Sequence, residues 1–168
     1  MWKKQGKIAS LKRGLYFFTE RKEALRRELV ASLLYAESYM SLESALSYYG
    51  FIPDMVYTET LVTSRTNRKF SNVFGTFLYR HIQAKLLFGY DVVETGAGKY
   101  LIAQPEKALL DYCYLNLGRI QGIDDIQALR LNYHEIAEKV DRKKLLRYRE
   151  QFQVQKLNRV TDLLLSLC

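Results

Sequence analysis

Residues 100–118 read YLIAQPEKALLDYCYLNLG, a short apolar strand that passes through Gln104 into a helix, and this junction decides the class of fold. Pro105 suits the first helical position, where a missing N–H costs nothing, and Glu106 agrees in sign with the start of the helix dipole. Ala108, Leu109, Tyr112, Cys113 and Leu115 supply the apolar side before Gly118 ends the run. Upstream, from MVYTETLVTS (55–64) to YLIA, Val, Thr, Tyr and Phe dominate and Asn and Gly punctuate at short intervals. This predicts strands near 55–64, 69–79, 88–94 and 99–103. Earlier still, TERKEALRRELVASLLYA (19–36) sets Leu25, Leu29, Leu33 and Leu34 at helical spacing, with Thr19 available as a cap. An extended SYM (38–40) leads to SLESALSYYG (41–50). There Ser41 can cap, Leu42, Ala45, Leu46 and Tyr49 form the buried stripe, Gly50 supplies a left-handed stop and Pro53 the exit. Downstream, DDIQALRL, HEIAEKV, DRKKLLRYREQF and QKLNRVTDLLLSL are helical segments separated by Asn and Asp signals. The expected class is α+β: a mostly antiparallel sheet flanked by helices, with a C-terminal helical region.

The chain has 168 residues and 48% hydrophobic content, enough for one core and hardly for two full domains. Before the first helix, GKIASLKRGLYFF (6–18) alternates apolar and polar residues around a Lys-Arg-Gly step, the pattern of a two-stranded ribbon with a cationic edge. Lys and Arg number 26 against 18 Asp and Glu, a formal charge of +8 that favours anionic partners. Nothing acidic occurs between Glu59 and Asp91, and only the segment around Asp124 to Glu138 leans acidic. Cys113 lies inside an apolar helical run, far from Cys168, so a buried free thiol and a reducing, cytoplasmic setting are expected. No stretch approaches the ~18 continuous apolar residues of a membrane span, and no apolar region follows the basic N-terminus, so neither membrane nor export is expected. The thirteen tyrosines suit core edges, and base stacking is their alternative use.

Chemistry is sparse. His81 and His134 lie in no context suggesting a nucleophile or zinc-ligand set, so no catalytic, metal-binding or cofactor-binding residue and no cofactor is expected. ETGAGKY (94–100) departs from the phosphate-loop pattern at Val93 and Tyr100, and its glycines fit a hairpin turn. A metal-dependent nuclease or other nucleic-acid-processing enzyme, using Asp54 or Glu94, is the enzymatic alternative, although Glu106 and Lys107 are adjacent and wrongly spaced for it. In PEKALLD, Glu106 and Asp111 are expected to cap and pair while Lys107 stays solvated. The basic clusters point further: TSRTNRKF (63–70) puts Arg65, Arg68 and Lys69 in a loop between strands, and Arg80 follows on FLYRHI (77–82). Cations with aromatic neighbours suit phosphate contacts, and a solvated loop is the alternative. RKKLLRYR (142–149) has the period of a plain amphipathic surface helix.

The strings YMSLESALSYYGFIPD (39–54), VTSRTNRKFSNVFGTFLYRHI (62–82), LLFGY (86–90) and YLIAQPEKALLDYCYL (100–115), in that order, resemble the AbiEi family of antitoxins and predicted transcriptional regulators. The resemblance implies an N-terminal winged helix-turn-helix that binds operator DNA. It also implies a C-terminal domain that neutralises a nucleotidyltransferase toxin in a type IV system, without a stable complex. On that basis residues 1–19 are the remnant wing hairpin of a winged-helix domain, with Lys12 and Arg13 placed for the DNA backbone, and residues 20–168 are the antitoxin domain. The helices expected before the wing are absent from the sequence, so operator binding depends on a helix-turn-helix being supplied; an inactive truncated remnant is the further alternative. Lys12, Arg13, Arg65, Arg68, Lys69 and Arg80 are the expected nucleic-acid contacts. Ser44, Gly50, Pro105, Glu106, Lys107 and Asp111 are the structural motif.

Overall fold

A computed structural model describes residues 7–168. Residues 1–6, which begin the expected wing segment, lie outside the described residues. The ribbon forms as an antiparallel hairpin of β1 (Ile8–Lys12) and β2 (Leu15–Phe18). A register shift between Ser10 and Lys12 accompanies Leu11, which is buried with Phe17 in the common core. Asn72 Nδ2 donates to the Leu11 carbonyl at 3.1 Å, and the Phe17 and Phe74 rings meet edge-on at 5.1 Å, so the hairpin is seated on the main body.

The expected helix over 19–36 is broken. Thr19–Ala24 is a 3-10 turn with no buried residue, Leu25 is extended, and α1 (Arg27–Leu34) starts afresh after Arg26, so Thr19 does not cap it. The polar run ERKE has no apolar face to hold a longer helix against the sheet. Val30 and Ala31 join Leu29 and Leu34 on the buried side, while Leu33, expected there, is half exposed. β3 (Ser38–Met40) and α2 (Leu42–Tyr48) follow as expected, and Gly50 ends α2 with φ of 77°. Ser41 precedes α2, but its hydroxyl makes no cap and is used elsewhere.

β4 (Thr58–Thr63) is followed by two strands where one was expected over 69–79: β5 (Arg68–Asn72) and β6 (Gly75–His81). Asn72 Oδ1 accepts from Phe74 N at 2.8 Å, an Asx turn that reverses the chain. β7 (Tyr90–Thr95) and β8 (Gly98–Ala103) form the hairpin expected at ETGAGKY. α3 (Pro105–Leu115) has Pro105 in its first turn. It is followed by α4 (Ile123–Ala128), α5 (Tyr133–Lys139), α6 (Arg142–Glu150) and α7 (Gln155–Ser166), the expected helical region.

The fold is α+β, with six strands in the order β5-β6-β4-β3-β8-β7. The sheet is mixed: the β5–β6, β4–β3 and β8–β7 pairs are antiparallel, but β4 runs parallel to β6 and β3 parallel to β8. The β4–β6 pair is parallel because the chain leaves β4, makes the edge strand β5, and returns as β6 between them. β6 buries Phe77 and Tyr79 and suits the interior, whereas the charged, exposed β5 suits an edge. One face carries α1, where Tyr79 Oη donates to the Ala31 carbonyl at 2.5 Å. The other carries α2 and α3, with α6 and α7 behind α3. No helix of the described residues is long and apolar enough to cross a membrane.

Candidate functional site

Alternation along a strand sends successive side chains to opposite faces, and this sorts the basic residues of the sheet edge. Arg68 pairs in register with Tyr79, so it lies on the α1 face; Lys69 pairs with Leu78 and shares the α2 face with Arg80, next but one along β6. The cations therefore straddle the β5 edge instead of forming a single patch.

On the α1 face, Arg68 and Arg65 gather around Tyr35. The Arg65 guanidinium lies 5.6 Å from the centre of the Tyr35 ring, and that ring packs on Phe70 and Tyr79 at 6.1 and 5.2 Å. A hydrogen bond between Tyr35 Oη and Thr66 Oγ1, aided by Arg68 and Arg65, pulls the phenol below its ordinary value against a smaller effect of burial. The loop carrying Arg65 is held in place. His81 N donates to Asn67 Oδ1 at 2.6 Å, His81 Nδ1 meets the Arg65 carbonyl at 2.9 Å, and Ser64 Oγ donates to Glu37 Oε2 at 2.6 Å. Lys12 turns inward to this cluster, with Nζ 2.5 Å from the Leu34 carbonyl and 5.8 Å from the Phe70 ring centre. Arg13 stays exposed at the hairpin turn.

On the other face, Arg80 is half-buried and borders a cavity of about 480 Å³ walled by Leu42, Ile52 and Leu78. Its guanidinium has no hydrogen-bond or ion-pair partner among the described residues. None of Lys12, Arg13, Arg65, Arg68, Lys69 and Arg80 forms an ion pair with a carboxylate among the described residues. Leaving basic groups free of internal carboxylates keeps their charge available to an outside anion.

The motif residues build a different kind of site. Ser44 staples α2 to β4: its backbone N donates to Thr60 Oγ1 at 3.0 Å, its hydroxyl donates to Glu59 Oε2 at 2.9 Å, and Thr60 N donates to Ser44 Oγ at 2.8 Å. Lys107, expected in solvent, is completely buried. Its ammonium donates to Tyr39 Oη at 2.7 Å and to Asp111 Oδ1, and lies 5.0 Å from the ring centres of both Phe88 and Phe152. Asp111 Oδ2 accepts from Tyr39 Oη and Ser41 Oγ, both at 2.9 Å. Burial pushes the Lys107 ammonium below and the Asp111 carboxyl above their ordinary values, and the charge of each opposes the shift of the other. Gly89, at φ of 69°, leaves room for this lysine: a Cβ there would sit 2.8 Å from Tyr148 Cε2 and 3.2 Å from Lys107 Cβ. Glu106 is also buried, accepting from Asp141 N at 2.9 Å and pairing with Lys144 at 3.0 Å. Tyr39, Ser41, Lys107 and Asp111 are closed to solvent, and together they hold β3, α2 and α3 and offer no surface to a substrate.

Asp54 lies on an exposed loop beside the Arg80 cavity, while Glu94 projects from β7 at the opposite edge of the sheet, so the two acids do not converge. The described residues contain no group of three or more His, Cys, Asp and Glu side chains able to hold a metal ion. No protein-family model matches the chain, and no curated protein matches it.

Proposed function

We propose that this chain is a non-enzymatic, cytoplasmic antitoxin and transcriptional regulator of the AbiEi type, which meets nucleic acid through the cationic β5–β6 edge and opposes a nucleotidyltransferase toxin without holding it in a stable complex. The observation that carries the nucleic-acid part is the set Arg65, Arg68, Lys69 and Arg80 at the β5–β6 side of the sheet, divided between its two faces and free of carboxylate partners among the described residues, in a chain of net charge +8. The antitoxin part rests on the resemblance, and its SLESAL and PEKALLD strings touch through the hydrogen bond from the hydroxyl of Ser41, the first residue of SLESAL, to Asp111. Phosphate contacts position a protein without specifying sequence, so operator selectivity would draw on a recognition helix beyond this surface.

A salt titration of binding to mixed-sequence nucleic acid tests the surface. Log affinity should fall linearly with log salt, and Arg65→Gln and Arg68→Gln should each lower the slope by about 0.9. Salt-independent binding, or slopes unmoved by both changes, would remove the edge from the reading. Co-expression tests the antitoxin part: growth restored in cells making the cognate nucleotidyltransferase supports it, and no rescue by a folded chain counts against it. A second reading is favoured by the place of Arg68 and Lys69 on an edge strand, where charge prevents pairing with another sheet. Under that reading Arg68→Gln with Lys69→Gln promotes aggregation and leaves nucleic-acid affinity alone.

A further inference from the structure

The cavity beside Arg80 has features that edge charge does not explain. Tyr57 borders it with 80% of its surface exposed, and its ring has no aromatic partner among the described residues. Beside it Met55 is 78% exposed, so solvent meets an apolar and aromatic lip. Tyr112, half-buried at the inner wall, has a phenol without a hydrogen-bond partner among the described residues, and burial together with the Glu43 charge keeps it protonated, a free donor. Glu43 and Asp54 supply carboxylate acceptors, and Arg80 is the cation of the lining. Lys69 stands on the same face of β5, in register with the cavity's Leu78.

We infer that this cavity receives an unstacked base of a single-stranded nucleic acid, stacked on Tyr57, with the strand's phosphates on Arg80 and Lys69. The inference rests on the nucleic-acid reading of the edge and names the form of nucleic acid. A volume of about 480 Å³ accommodates a ligand of base size between apolar walls. Bases in a duplex are paired and stacked and cannot enter it without being flipped out, whereas a single strand offers them at small cost. Exposed aromatics beside cations are the parts from which single-strand platforms are made, the ring taking a base face and the cation a phosphate. The carboxylates would repel a phosphate, so the backbone belongs on the Arg80 and Lys69 side. The base edge meets the lining carboxylates, where Glu43 or Asp54 can accept from an exocyclic amine as acids do from cytosine.

Fluorescence anisotropy on the full chain with a labelled mixed-sequence dodecamer of DNA, alone and annealed to its complement, tests this. The single strand should bind at least about tenfold more tightly than the duplex, and Tyr57→Ala should remove about tenfold or more of single-strand affinity, the effect of one lost stack. Arg80→Gln should weaken single-strand binding and reduce its salt slope by about 0.7. The exposure of Tyr57 makes its variant tolerable to the fold, and an unchanged melting temperature checks this. Duplex bound as well as single strand, or single-strand affinity indifferent to Tyr57→Ala, would overturn the inference and leave the cationic edge standing. No binding to either form would overturn both.

Discussion

Lys107 is the residue on which the interior turns. A buried ammonium is tolerated only when paired, and this one is matched by Asp111, the Tyr39 hydroxyl and two aromatic faces. Removing one partner strands the other charge, so Lys107→Met should cost about 3–5 kcal/mol, measured by urea unfolding. Removing both charges with Lys107→Met and Asp111→Leu should recover most of that loss, because the pair's own desolvation is removed with it. A double variant as unstable as the single would mean that packing, and not charge pairing, holds the site. The spacing of Lys107 and Asp111 by one helical turn was visible in the sequence. Its burial was not, because Phe88 and Phe152, the rings that exclude water, come from a connecting loop and from the turn after α6, remote from α3 in the chain.

Among the elements, those with local signals were legible. Gly50 closes α2, Pro105 opens α3, and Asp141 caps α6 by accepting from the backbone N of Lys143 and Lys144 at 2.9 and 3.1 Å. Asp141 N also donates to the buried Glu106, fixing where α6 starts against α3. Asp141→Ala should therefore destabilise the protein by about 1 kcal/mol, measured by thermal or urea unfolding; an unchanged midpoint would show that the contact with Glu106 alone sets the helix start. The break at Arg26 and the reversal after Asn72 were hidden, since ERKE has helical propensity with nothing to pack on, and a strand with a polar turn residue inside it still alternates. Which strand neighbours which is a non-local fact, and the parallel partners of β4 and β3 leave no mark in their own sequences.

For the molecule as a whole, burial governs its response to alkali. Burial raises the phenols of Tyr39, Tyr49 and Tyr79, and the Cys113 thiol to about 12. Unfolded, these groups ionise near pH 8.5 to 10, so above about pH 9 the folded state binds more protons than the unfolded one and stability falls as pH rises. Lys107 and Tyr35, both lowered, act in the opposite direction but are outnumbered by the raised groups. The urea midpoint should decline steadily between about pH 9 and 11, and a flat or rising midpoint would contradict the burial of these groups. At the same scale, the candidate surface was half legible: the basic residues stood out in TSRTNRKF, but their division between two faces needed the register of β5 on β6. Tyr57 gave only a faint signal, an aromatic beside Met55 in the segment after Pro53, among many tyrosines with buried uses. β3 is three residues long and meets β8 through the single pair Met40 and Ile102. Tension drawn across the sheet thus falls on one main-chain rung at its middle, and four side chains, Tyr39, Ser41, Lys107 and Asp111, act as the rivet that keeps its two halves from shearing apart.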